Sequence, residues 1–137
     1  MVRVSGGVVA GKTVATVWRF VSTRQHWVPA SSMIQPRAHH SSAALGQRLY
    51  VLGGTRDVNE ATGGPITQGV VETIECLEVL GGNEEAGTCF WWVVAVVPCP
   101  RLGSHAVAYG DHSLVEVAMV FSNLKKNLGN LANLRLK

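Results

Sequence analysis

Gly6-Gly7-Val8-Val9-Ala10-Gly11-Lys12-Thr13 satisfies the spacing GxxxxGK[ST]. In that pattern backbone N–H groups cradle phosphates, the lysine meets them, and the threonine hydroxyl holds Mg²⁺. The chemistry requires a helix directly after the loop. Thr13–Val21 (TVATVWRFV) is instead rich in β-branched and aromatic residues, which disfavour helix. No apolar strand ending in Asp follows to hold the metal. NTP binding through Gly6–Thr13 stands as a minor alternative.

Five histidines and three cysteines are the other candidates for chemistry. His26, His39, His40, His105 and His112 include no pair at a metal-ligand spacing with a second shell. His39 and His40 are neighbours, so on a strand they point to opposite faces. Cys76, Cys89 and Cys99 are odd in number and match no zinc or disulfide framework. Cys76 and Cys89 have no nearby histidine in sequence to form a nucleophile pair. They read as reduced, partly buried thiols of a cytosolic protein. The expectation is no metal, no cofactor and no catalytic residue: not an enzyme.

The 137 residues make one domain or less. Apolar residues are 47%, enough for a core, and charged residues only 15%, against about 25% in a typical soluble domain. Such a chain leaves apolar surface bare unless something covers it. Seven of the nine acids lie between Asp57 and Glu85, a span with no Lys or Arg. The formal charge of +3 comes from scattered bases that no helix or ribbon concentrates, so no nucleic-acid partner is expected. No apolar run reaches the roughly 18 residues of a membrane span; Phe90–Val97 is only eight long. The first 56 residues lack acids, as an organelle presequence does, but they read as strands. The expected location is cytoplasmic.

The elements that must position these residues are short strands between turns. Arg48–Leu52 (RLYVL), Val70–Leu80 (VVETIECLEVL) and Trp91–Val97 (WWVVAVV) carry β-forming residues. Gly46-Gln47, Gly53-Gly54, Gly63-Gly64-Pro65, Gly81-Gly82-Asn83 and Gly110-Asp111 carry turn chemistry. The class is all-β. A shift of 64 residues superposes Trp27 on Trp91, Pro36 on Pro100, Arg37 on Arg101, Ala44 on Ala108, Gly46 on Gly110 and Val51 on Val115. The chain therefore contains an internal repeat.

That unit resembles the Kelch repeat: an apolar strand, a diglycine, a strand with an aromatic, a tryptophan, then Pro-Arg. The best copy is PRAHHSSAALGQRLYVLGG, Pro36 to Gly54, continuing to Trp91. Gly6-Gly7 with Trp27 looks like an earlier copy, and PRLGSHAVAYGDHSLVEV like the start of a third. The third loses its diglycine, because Val117-Ala118 falls where Gly53-Gly54 would be. The resemblance implies a partial Kelch β-propeller of about two to two and a half blades, each an antiparallel four-stranded sheet. Residues 1–35 would be a partial blade, 36–99 a complete one with long loops, and 100–120 the start of a degenerate third. Gly53, Gly54, Tyr50, Trp27 and Trp91 would be the structural residues of the repeat, and Arg37 and Arg101 could bridge blades.

The tail, residues 121–137, does not look like Kelch. Leu124, Leu128 and Leu131 sit at helical spacing, while Gly129 and four Asn oppose a stable helix, so an irregular or marginally helical end is expected. The resemblance further implies a protein–protein interaction module like the substrate-recognition propeller of a cullin-3 ubiquitin ligase adaptor, holding a protein partner or ubiquitination substrate. Contact residues carried over from the family's positions are Arg37, His39, Arg56, Asp57, Arg101 and Gly103. The alternatives are an actin- or cytoskeleton-binding Kelch protein and a non-functional truncated product. Two or three blades cannot close a propeller, so a splice form or fragment of a longer BTB-Kelch protein, or self-association, is the expected context.

Overall fold

The computed structural model describes residues 2–79 and 89–97, together with the backbone of strands 104–109, 113–118 and 132–135. The class is all-β, as expected: no α-helix occurs among the described residues, only a 3₁₀ turn at Thr67–Gly69. The first sheet joins β1 (Arg3–Ser5), β4 (Val17–Val21) and β5 (His26–Ala30), in that order and antiparallel. Between β1 and β4 a small hairpin stands out, made of β2 (Val8–Val9) and β3 (Lys12–Thr13). The single strand expected over Thr13–Val21 is thus divided, because Thr13 closes the hairpin and the sheet resumes at Val17.

The second sheet is a complete four-stranded meander of β6 (Ser41–Leu45), β7 (Arg48–Leu52), β8 (Thr73–Glu78) and β9 (Trp91–Val96). Gly46 sits at φ +60° in the two-residue turn between β6 and β7, where a glycine at the first central position suits the strand twist. Tyr50 faces Cys76 across the ladder, and Leu77 faces Trp91. Side chains alternate between the two faces. Val51, Leu77 and Trp91 pack on Val17, Met33, Ala15 and Ala30 of the preceding segment. Tyr50, Leu52, Ile74 and Cys76 fill the other face with Val97 and Trp92. Burying each such aliphatic side chain stabilises the fold by about 1.5–3 kcal/mol.

The two diglycines occupy equivalent places. Val14 N–H donates to the Gly7 carbonyl at 3.0 Å, and Val71 N–H to the Gly54 carbonyl at 2.9 Å. All four glycines have positive φ, at 63° and 103° for Gly6-Gly7 and 68° and 79° for Gly53-Gly54. A Cβ on Gly54 would run into the Ala38 carbonyl oxygen and lie 2.8 Å from the His40 Cβ, so only glycine fits.

The third sheet orders β10 (Ser104–Tyr109), β11 (Ser113–Ala118) and β12 (Ala132–Arg135), with β10 and β11 standing against β6. The tail expectation is corrected here. Residues 132–135 are neither irregular nor helical; they pair antiparallel with β11, Leu134 opposite Leu114. The leucine spacing that suggested a helix lies wholly in 121–131, outside the described residues. So do the expected turn Gly81-Gly82-Asn83 and the second Pro-Arg, Pro100-Arg101.

Candidate protein-binding face

Arg37 and Glu75 have no exposed surface and form an ion pair, Nη2 to Oε2, at 2.5 Å. Arg37 Nη1 also donates to the carbonyls of Gly53 (3.2 Å) and Thr73 (3.0 Å), and Nη2 to Thr73 Oγ1 (3.2 Å). Glu75 in turn accepts the N–H groups of Ile34 (2.5 Å) and Gln35 (3.2 Å). The pair thereby ties the segment entering the second sheet to the middle of that sheet. Burial pulls the Arg37 guanidinium below its usual range, against the opposing pull of Glu75. Arg37 is therefore corrected as a contact residue: a side chain with no exposure cannot touch a partner. It works from inside, as a brace.

His40, beside it, is half-buried, with its Nε2 3.0 Å from Ser5 Oγ of the first sheet. Desolvation, with the Arg37 charge adding to it, lowers its pKa to about 4. His40 is neutral at pH 7.

His39, Arg56 and Asp57 are exposed. His39, at φ +53°, holds the Gly63 carbonyl through Nε2 at 2.8 Å. Arg56 and Asp57 begin the loop 55–69, which folds as a compact second hairpin. Thr55 Oγ1 donates to the carbonyls of Asp57 (2.7 Å) and Ile66 (3.1 Å), and Arg56 N–H reaches Gly69 O at 2.7 Å. At the tip, Asn59 Oδ1 accepts from Ala61 and Thr62 N–H. A loop held this way presents its side chains from a fixed frame.

The β2–β3 hairpin meets that loop. Its tip residues Ala10 and Gly11, at φ 50° and 75°, make the turn with both central residues left-handed. Thr13 Oγ1 donates to the Arg56 carbonyl at 2.5 Å. An open cleft of about 360 Å³ lies between the two, lined by Lys12, Thr13, Arg56, Asp57 and Glu60 among others.

This geometry overturns the phosphate-loop alternative. Gly6 and Gly7 N–H are engaged by Thr16 O and Arg37 O, both at 2.9 Å, so they do not form a nest for phosphate. Thr13 holds a backbone carbonyl, and a strand rather than a helix follows. Lys12, Thr13 and Glu60 line this cleft with Arg56 and Asp57, although sequence reasoning did not group them there. The signal was present: Gly6-Gly7 is a diglycine, and the loop after it occupies the position of the loop after Gly53-Gly54. Arg101 and Gly103 lie outside the described residues. Tyr50 is buried beside Cys76, and Trp91 is buried with its Nε1 donating to Ser31 O at 2.7 Å; Trp27 is 44% exposed. Among the described residues no cluster of three His, Cys, Asp or Glu could hold a metal, and no helix is long and apolar enough to cross a membrane.

No protein-family model matches the chain. Several curated proteins resemble it. An F-box/kelch-repeat protein of Arabidopsis thaliana is 43% identical over 51 residues, 37% of this chain and 11% of that protein. Human Kelch-like protein 30 is 39% identical over 56 residues, 38% of this chain and 10% of that protein. Alpha-scruin of Limulus polyphemus is 31% identical over 127 residues, 90% of this chain and 12% of that protein. The chain carries Kelch repeats. It spans only about a tenth of the length of these Kelch relatives. A solved structure described as "Structure of YjhT" superposes with a TM-score of 0.56 at 17% identity, covering 77% of this chain and 27% of that one, a likeness of fold alone. The Kelch diglycines and the Kelch tryptophan of the second sheet accordingly hold the sheets, while the loops after each diglycine carry the exposed face.

Proposed function

We propose that the chain is a protein–protein interaction module in the cytoplasm. It grips a partner protein with the hairpin 8–13, the loop 55–69 and His39. The closest functional analogy is the substrate-recognition propeller of a cullin-3 ubiquitin ligase adaptor. One observation carries the reading: the loops following two successive diglycines meet through Thr13 and Arg56, and Lys12, Arg56, Asp57 and Glu60 surround the cleft with Lys12, Arg56, Asp57 and Glu60 all solvent-exposed. Charged side chains on a rigid frame give orientation and specificity to a partner of complementary charge. The relatives named for Kelch repeats support the same class of function.

The test is capture from cell extract by the chain and by its Lys12→Ala/Arg56→Ala double variant, with the captured proteins compared quantitatively by mass spectrometry. The expected result is at least one protein lost about tenfold by the variant, the change that roughly 1.4 kcal/mol of contact energy produces. Loss of a protein that accumulates when the proteasome is blocked supports the ligase-adaptor analogy, and loss of actin supports the cytoskeletal one. Identical capture by both proteins contradicts the assignment of this face.

A further inference from the structure

His40 stands between the two diglycine bends. A Cβ placed on Gly6 would lie 2.8 Å from His40 Cε1, and one placed on Gly54 would lie 2.8 Å from His40 Cβ and 2.9 Å from its N. The residue is thus clamped between the end of the first sheet and the second sheet. Its Nε2 lies 3.0 Å from Ser5 Oγ, the last residue of β1. Its Nδ1 is enclosed and makes no hydrogen bond.

A neutral ring suits this place, because it shares one hydrogen bond with Ser5 and keeps a single N–H. Protonation makes both nitrogens donors and adds a charge. The charged and titratable groups around the ring are Arg37, Glu75 and the neighbouring His39. The Arg37 and His39 charges oppose a proton on His40, while the Arg37 carbonyl and Glu75 favour it. Burial is the largest effect and decides against the charge. Ser5 and Gly6, the first-sheet side of the clamp, carry no charge to compensate.

Residues 37–40 tie one bend to the other. Gly7 N–H donates to the Arg37 carbonyl at 2.9 Å, Arg37 N–H to the Val14 carbonyl at 3.3 Å, and Ala38 exchanges two hydrogen bonds of 2.9 Å with Thr55. The ladder of the second sheet begins at Ser41 and does not include His40. We propose that His40 is an acid-sensitive latch: unprotonated, it holds the Ser5–Gly7 bend and its hairpin 8–13 against residues 37–40, and protonated, it lets them part while the second sheet keeps its four strands. Parting gives the charged ring water and leaves Arg37 paired with Glu75. The hairpin 8–13 and the loop 55–69 then lose their fixed relation. Release of a partner on acidification would follow, and that consequence alone rests on the reading of these loops as a binding face.

Amide hydrogen exchange of the intact chain tests the latch, read by NMR and corrected for the intrinsic pH dependence of exchange. Gly7 N–H reports the junction, and the amides of β7 and β8 report the sheet. The Gly7 opening constant is expected to rise about twentyfold between pH 7 and pH 5, the ratio set by a pKa of about 4 when closed and 6.5 when open. The β7 and β8 amides are expected to open more rarely and to respond to low urea, which leaves the Gly7 opening unchanged. His40→Asn is expected to make Gly7 opening independent of pH over this range. Ser5→Ala removes only the Nε2 partner, and is expected to raise Gly7 opening about fivefold at pH 7 and to keep its pH dependence. Gly7 opening that ignores pH, that keeps its pH dependence in His40→Asn, or that coincides with opening of β7 and β8 at every urea concentration overturns the proposal. None of these readouts involves a partner, so the latch and the binding face fail separately.

Discussion

Arg37 keeps a charge where there is no water. Breaking a buried ion pair from one side costs about 3–5 kcal/mol, since the remaining charge is stranded. Arg37→Met is therefore expected to lower the urea-unfolding free energy by about 3 kcal/mol, with the Glu75 charge left buried without its counter-charge. Arg37→Met/Glu75→Gln, which removes both charges and keeps an acceptor for Ile34 and Gln35 N–H, is expected to recover a substantial part. His40 sets a pH dependence of definite sign. Its folded pKa of about 4 lies below the unfolded value of 6.5, so the unfolded chain binds the proton more tightly. Its stabilising contribution is complete above pH 6.5 and is lost as pH falls through the window down to about 4. Urea midpoints are expected to drop between pH 7 and pH 4.5, and His40→Asn to flatten that drop.

The diglycine bends tie strands to loops. Gly54 and Gly46 both have positive φ, but only Gly54 faces a neighbour: nothing lies within 4 Å of a Cβ placed on Gly46. Gly46→Ala is expected to cost about 1 kcal/mol of backbone strain. Gly54→Ala is expected to cost clearly more, because β7 and the Ala38–His40 segment must separate, and thermal unfolding of the two variants side by side measures the difference. Leu77 links the first and second sheets, and Leu77→Ala is expected to cost about 2–5 kcal/mol through the cavity it leaves. The elements themselves were legible. Arg48–Leu52 forms β7 over those same residues, and Trp91 begins β9. The hairpin 8–13 was not legible, because Val8, Val9 and Thr13 have β propensity in either arrangement and the GKT spacing drew attention to phosphate chemistry. Two left-handed residues, Ala10 and Gly11, decide it, and one of them is not a glycine.

Sheets of a propeller are stabilised by their neighbours, and the repeat in the sequence already implies that dependence. The shift of 64 residues puts Trp27 on Trp91 because both occupy the last strand of a sheet opposite a residue of the strand before it. Burial was harder to read. Arg37 and His39 are two residues apart in a Pro-Arg motif, yet one is enclosed and the other exposed, which only the path of the chain past Glu75 and Gly63 determines. The end of the chain is a related case: long-range pairing with β11 makes Ala132–Arg135 a strand, which the local residue types alone do not dictate. The central claim is that two diglycine-linked sheets stack and bring their following loops together. Nuclear Overhauser contacts in the isotope-labelled chain test it most directly. The account predicts cross-strand contacts between Tyr50 and Cys76, between Leu77 and Trp91 and between Val9 and Lys12, with a contact from the Thr13 side chain to Arg56. Helical contacts running on from Thr13, or no contact between the loops after Gly7 and Gly54, would contradict it.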